Sequence, residues 1–469
     1  NPAGSRSRQD GPMRILFATA ELAPVAVVGG LASASAGLVA ELRRQGMDVD
    51  VVMPDYGGTA LDDETEQSLD VPDWAGPARV RRGVHATAGP LSLVELPGLA
   101  RPHPYLQPDG TGWPDNDHRF LAFAQAVAAL CRLERPDVLH LNDWHTAAAL
   151  AALETAPPTV LSIHNLAYQG TCDPAWLFRL GSRAALYARP EGCNPLAGGI
   201  ALADAVVAVS PTYAREIVEP EHGFGLDGLL TERRDVLVGI RNGIDIDLWN
   251  PATDAHLPVA FGPGDLGMRA SIRAAVHEEL ELPDDGRSLA VMVTRLTWQK
   301  GVDLVLPLVP YLDGLRLQLA VLGAGETWLA DELRQAAAGR PEAVAFVEGY
   351  HEGLGRRLLA GADLFLMPSR FEPCGLTQMQ AMRYGAIPVV TPVGGLCDTV
   401  VDADAHRGGT GFVARAADSL SVLDALHRAL RGIERKGPRQ KLQRRGMKAD
   451  WSWREPAARH VELYRSLLR

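Results

Sequence analysis

Short apolar runs recur along this chain, each followed by a polar or helical segment. Arg14-Ile15-Leu16-Phe17-Ala18-Thr19 is the first, and Gly29-Gly30-Leu31 opens a helical pattern from Ala32 to Gln45. Asp48 to Pro54 is the next run. Strand, glycine loop, helix and strand in that order predict a doubly wound α/β unit. Further runs at 137–141, 159–163, 205–209 and 236–240 are apolar on both faces, the pattern of parallel strands covered on both sides. Residues 57–118 break the rhythm with many Pro, Gly and Asp, and read as a loop-rich insertion with one or two extra strands around 92–96.

A polar, Pro/Gly-rich stretch over 251–267 reads as a linker. The rhythm then restarts at 289–294, 315–323, 343–349, 364–367 and 387–390. The expected organisation is two doubly wound α/β domains, 13–250 and 268–450, followed by a terminal helix over 451–469. A ligand is expected in the crevice between them, at the carboxyl ends of the strands. Residues 1–12 are polar and lack an apolar core, so they read as a disordered arm or tag remnant rather than a signal peptide.

At 469 residues the chain exceeds what one core usually supports, in keeping with two domains. A net charge of −11 argues against a nucleic-acid partner, which needs a basic face, but leaves room for a nucleotide in a local basic pocket. No apolar run approaches the ~18 residues of a membrane span, so no membrane partner is expected. Five cysteines without CxxC spacing favour reduced thiols in a cytoplasm over a disulfide framework or zinc site. Composition does not decide the oligomeric state.

The candidate chemistry sits where strands end. Ser369-Arg370-Phe371-Glu372-Pro373-Cys374-Gly375-Leu376-Thr377 follows an apolar strand and precedes a helical pattern over 376–384. Strand, glycine turn and helix aim backbone N–H groups at an anion. A carboxylate just before that turn would repel a bare phosphate, so Glu372 suits sugar hydroxyls beside a diphosphate. Arg295 and Lys300, five residues apart after another strand, can both face a diphosphate, one as a planar fork and one as a point charge. The alternative for them is a solvated loop. Asn142-Asp143-Trp144-His145 and His164-Asn165 end two strands of the first half; they carry chemistry there or merely cap helices. Gly323-Ala324-Gly325-Glu326 lacks the third glycine of a dinucleotide fingerprint. Signatures of serine hydrolysis, zinc proteolysis and P-loop chemistry are absent.

Together these pieces resemble bacterial glycogen synthases and plant starch synthases, retaining transferases of the GT-B fold. The resemblance runs from the 14–21 segment and Gly29-Gly30-Leu31 through Asn142 to His145, 163–170, 209–213 and 223–229. It continues through Asn242-Gly243-Ile244-Asp245, 295–303, Gly349-Tyr350-His351-Glu352 and 369–378. It implies two Rossmann-like domains facing a central cleft and transfer of glucose from ADP-glucose to an α-1,4-glucan, without a metal or other cofactor. Arg295 and Lys300 would hold the donor diphosphate, and Glu372 would lie beside the glucosyl ring. Gly375, Leu376 and Thr377 would receive the phosphates, and Tyr350 would stack on the base. His164 and Asp143 would face the sugar, while Gly29, Gly30 and Asn242 belong to the donor-binding set. The first glycine loop departs from the family's Lys-x-Gly-Gly-Leu: Val27 stands for the lysine and Ser33 for a following aspartate. That departure keeps two other readings open, transfer of another nucleotide sugar to a small-molecule acceptor, and a non-catalytic glucan- or nucleotide-binding protein.

Overall fold

The computed structural model describes residues 11–469, so most of the arm expected over 1–12 lies outside the described residues. The chain forms two compact units. The first comprises the chain up to Val209, residues 214–243 and residues 453–469; the second comprises 210–213 and 244–452.

The first unit is built on strands β1 (Arg14–Ala18), β2 (Asp48–Pro54), β3 (Asp62–Leu69), β4 (Ala78–His85), β5 (Gly89–Glu95), β6 (Val138–Asn142) and β7 (Thr159–Ile163). A small ribbon of β8 (Ala188–Arg189) and β9 (Gly192–Cys193) precedes β10 (Ala205–Ala208) and β11 (Leu237–Gly239). The main sheet runs β11-β10-β7-β6-β1-β2-β5-β4-β3. Its core strands are wholly buried: β6, β7 and β10 expose no residue, which is why they read as unbroken apolar runs. The order turns back between β1 and β6, and that is where the glycine loop and the Asp143 turn emerge.

Residues 57–118 are more ordered than their composition implies. β5 pairs parallel with β2, and β4 and β3 continue the sheet antiparallel. The sequence hides β3 because Asp62–Leu69 is almost wholly polar and exposed. Charge rather than burial helps hold this edge: the Arg81 guanidinium donates to both Glu64 oxygens at 2.9 and 2.6 Å.

The second unit carries β12 (Ser288–Val293), β13 (Leu317–Gly323), β14 (Val344–Glu348), β15 (Leu364–Met367), β16 (Ile387–Val390) and β17 (Phe412–Val413). All pair in parallel, in the order β14-β13-β12-β15-β16-β17. Counted along the chain this is 3-2-1-4-5-6, the doubly wound order whose switch point lies between its first and fourth strands. Residues 251–267 are not a free linker. The Asp254 side chain is buried, pairs with Arg356 at 3.1 Å and accepts from the Tyr384 hydroxyl, which fastens the segment onto the second unit.

The terminal helix, Arg454–Leu467, belongs to the first unit. Trp453 packs over Gly37 of the helix Gly30–Arg44, where a Cβ would lie 1.9 Å from the indole nitrogen. Tyr464 reaches His140 of β6 at 2.6 Å.

Candidate functional site

At the switch point of the second sheet, the loops after β12 and β15 lie side by side. The loop after β12 is braced by its neighbour. Leu296 N–H donates to Ala324 O at 2.8 Å, and Glu326 N–H donates to Leu296 O at 2.7 Å. This approach needs Gly323 and Gly325, because a Cβ there would sit 1.9 Å from Thr294 O and 2.2 Å from Leu296 O. The Gly-Ala-Gly sequence is therefore a brace for the Arg295 loop. The Arg295 residue is exposed, and its guanidinium has no hydrogen-bond or ion-pair partner among the described residues.

Gly301 seats the far end of that loop. It has φ +66°, and a Cβ would lie 2.0 Å from Pro368 O. The contact brings Lys300 to the carboxyl end of β15, where its Nζ donates to Glu372 Oε2 at 2.6 Å. Ser369 Oγ donates to the same oxygen at 3.0 Å. Glu372 is 4% exposed, so it is a buried carboxylate with one oxygen fully engaged. Its backbone carbonyl accepts from Gly395 N–H at 2.9 Å, and a side chain at 395 would strike Cys374 O at 2.1 Å. Arg370, inside the same motif, turns away and forms a two-pronged pair with Asp303 at 2.8 and 2.6 Å.

The turn that follows uses Gly375 at φ +72° and enters the helix Thr377–Arg383. Gln378 Nε2 donates to Cys374 O at 3.0 Å and to Gly375 O at 2.9 Å, which fixes the turn. The amides of Leu376 and Thr377 open that helix, in the first turn where N–H groups lack intrahelical acceptors. Tyr350, after β14, is 87% exposed and follows Gly349 at φ +121°. The structure thus brings Lys300 and Glu372 into contact and leaves Arg295 and Tyr350 projecting into solvent.

In the first unit, Asp143 follows β6 at φ 55° and ψ −173°, a backbone state that non-glycine residues rarely hold and that marks stored strain. Its carboxylate accepts from the backbone N–H of His164 at 2.7 Å and also from that of Asn165. Burial nonetheless pushes its pKa up to about 7. His164 Nε2 lies 2.9 Å from Asn142 Oδ1. Asn142 Nδ2 donates to Ala18 O at 2.9 Å, which pins the amide and makes His164 Nε2 the protonated nitrogen. Burial lowers His164 to about 3, so the ring is neutral with Nδ1 as its acceptor. Asn242 is buried, on the wall of a cavity of about 10 Å³ shared with Ser35, Asn142, Ser162, His164 and His460, room for about one water.

The glycine loop is tied to a carboxylate of the chain itself. Gly29, placed in the donor-binding set, donates its N–H to Glu21 Oε2 at 2.8 Å, with Val28 N–H on the same oxygen at 2.9 Å. Tyr105 Oη donates to Glu21 Oε1 at 2.8 Å. A buried carboxylate of the chain already fills the anion role there. Gly30 begins the helix Gly30–Arg44; Val27 and Ser33 are exposed, so the departures from the family lie on the surface of this loop. Glu21 and Asn142 organise the site although their roles were not legible beforehand. Their signal was position, a polar residue at or just beyond the carboxyl end of an apolar strand.

Among the described residues no group of three His, Cys, Asp or Glu is placed to hold a metal ion. No helix among them is long and apolar enough to cross a membrane.

Residues 14–232 match the starch synthase catalytic domain family, and residues 276–447 match glycosyl transferases group 1. Glycogen synthase of Halorhodospira halophila is 44% identical, covering 97% of this chain and 99% of that protein. Glycogen synthase of Acidiphilium cryptum is 41% identical with the same coverage. The catalytic domain of starch synthase IV from Arabidopsis thaliana, solved bound to ADP and acarbose, aligns with a TM-score of 0.86 and 31% identity over 98% of this chain and 100% of that one. Sucrose-phosphate synthase from Thermosynechococcus elongatus, at 19% identity over 97% of this chain and 99% of that one and a TM-score of 0.62, shares the fold alone.

Proposed function

From the premise that this chain belongs to the glycogen and starch synthase family, nucleotide-sugar glycosyltransferases of GT-B fold, we propose that it transfers glucose from ADP-glucose to the non-reducing end of an α-1,4-glucan with retention of configuration. The observation that carries the site assignment is the Lys300–Glu372 pair at the switch point of the second sheet, beside the unpartnered Arg295. Arg295 and Lys300 supply two cations for a diphosphate, so no metal is required for its charge. Glu372 has Oε2 occupied, and Oε1 takes no hydrogen bond among the described residues; it is suited to accept from sugar hydroxyls. ADP in the Arabidopsis starch synthase structure supports an adenine nucleotide, and exposed Tyr350 offers a ring for its base. His164, neutral with an acceptor nitrogen, and Asp143 are assigned to substrate hydroxyls.

Catalysis on this reading is front-face displacement. The bond from glucose to the diphosphate breaks, and the leaving phosphate takes the proton of the incoming hydroxyl. The protein contributes orientation and stabilisation of the charge that develops on the diphosphate. Expected outcomes are direct. ADP-glucose labelled in the sugar gives labelled glycogen, and UDP-glucose gives less. Arg295→Ala lowers kcat by about 10²–10³ while the urea midpoint is unchanged, since the Arg295 guanidinium holds nothing among the described residues. Absence of incorporation from any nucleotide glucose refutes the reading, and full turnover by Arg295→Ala refutes the residue's role.

A further inference from the structure

Two thiols lie together behind the His164 loop, and the proposed chemistry uses neither. Cys172 and Cys193 face each other across an antiparallel bridge, with Cys172 N–H donating to Cys193 O at 2.8 Å and Cys193 N–H donating to Cys172 O at 3.0 Å. Cys172 Sγ lies 3.6 Å from Cys193 O, so the Cys172 side chain reaches across to the facing residue. Cys172 is half-buried, open to a small oxidant, and Cys193 is buried beneath it. The approach is built in, since Gly192 has φ +137° and a Cβ there would lie 2.3 Å from Cys172 O.

We propose that Cys172 and Cys193 form a reversible intramolecular disulfide, a modification site that controls the turn behind His164. Opposed residues that exchange both backbone hydrogen bonds have Cα atoms about 5.5 Å apart, inside the range a disulfide spans. Their Cβ atoms are about 1 Å further apart than an unstrained disulfide prefers. A bond closed there is strained and hence easily reduced, the property of a regulatory disulfide rather than a structural one. With hydrogen peroxide as oxidant, one thiolate attacks the O–O bond to give a sulfenic acid, and the second thiol displaces its hydroxyl. Two thiols and one peroxide yield one disulfide and two waters. Half-buried Cys172 is the thiol that peroxide reaches, and buried Cys193 resolves the sulfenic acid.

The bond bears on the site through three contacts. Asn194, next to Cys193, donates from Nδ2 to Gln169 Oε1 at 2.7 Å, and Leu196 N–H donates to Gln169 O at 3.2 Å. Gly170 lies against the Trp144 ring, where a Cβ would be 2.1 Å from it, and Trp144 follows Asp143. Drawing 172 and 193 together tightens the segment between His164 and Cys172, so the pair acts as a positioning device.

The test uses the full chain in a Cys397→Ser background, because exposed Cys397 would also consume oxidant. Five cysteines less Cys397 leave four, and hydrogen peroxide is expected to lower the free thiols from four to two. Non-reducing peptide mapping should show one peptide pair holding Cys172 and Cys193, separated by dithiothreitol and absent in Cys172→Ser. Amide exchange across 165–172 should slow on oxidation and recover on reduction, a readout independent of whether the donor is ADP-glucose. Four thiols after treatment, or Cys172 linked to another cysteine, overturns the site. A bond that forms without changing that exchange overturns the control.

Discussion

Burial sets the behaviour of the residues behind the Asp143 turn more than their identities do. His145 stacks on Trp144 at 4.3 Å between ring centroids and leaves Nδ1 buried without a hydrogen bond. Burial lowers His145 and His164 to about 3 and His460 to about 4, and it drives His140 well below its ordinary value. Unfolded, these rings titrate near 6.5. Below that pH the unfolded chain binds protons that the folded chain refuses, so their contribution to stability falls as pH drops from 6.5 toward 4. Asp143 runs the other way. Its raised pKa of about 7 means the folded state keeps a proton that the unfolded state has released above about 3.8, so its contribution falls as pH rises between those values. Four histidines outweigh one carboxyl across the shared window. The urea midpoint is therefore expected to be lower near pH 5 than near pH 7; an equal or higher value near pH 5 would contradict the burial of this histidine set.

Elements matter here through where they touch backbone to backbone. Two loops meet at the Lys300–Glu372 pair because Gly301 accepts a positive φ and lies against Pro368 O. Gly301→Ala brings a Cβ within 2.0 Å of that oxygen, so the loop must shift. The expected cost is about 1–3 kcal/mol in chemical denaturation, with a rise in KM for the donor as Lys300 moves. Wild-type stability and kinetics for Gly301→Ala would show that this contact does not position the lysine. The Arg295 loop has the same logic at Gly323 and Gly325. There a sequence resembling a truncated phosphate-binding fingerprint serves as a brace, which spacing could not reveal because the partner is the backbone of another loop.

At the scale of the whole molecule, the last helix returns to the first unit and closes a buried network. Tyr464 Oη meets His140 Nδ1 at 2.6 Å, and His140 Nε2 meets Ser162 Oγ at 2.7 Å. Tyr464→Phe preserves the ring but leaves a wholly buried imidazole nitrogen unpaired. It should destabilise the first unit by about 1–3 kcal/mol, read as a lower thermal midpoint with little change in the second unit's transition. A neutral result would mean that water replaces the hydroxyl or that the network contributes nothing to stability. The same closure explains why the segment after 450, read from sequence only as a terminal helix, belongs with strands more than 300 residues away, as the separation of 324 between Tyr464 and His140 shows.

Much of both sheets was legible because parallel strands buried on two faces are apolar throughout. The runs over 364–367 and 387–390 coincide with β15 and β16. Polar residues at the ends of such strands marked the candidate site, including Asp143, His164, Arg295, Lys300 and Glu372. Edge strand β3 was hidden, since its stability comes from pairing and charge rather than from alternation. The occupation of the Gly29 amide by Glu21, the pinning of His164 by Asn142 and the seating of Lys300 on Glu372 belong to the tertiary structure alone. Periodicity records which face of an element avoids water. It carries no record of which carboxylate, amide or carbonyl from elsewhere in the chain will stand opposite, and at this site those partners decide which groups remain available to a substrate.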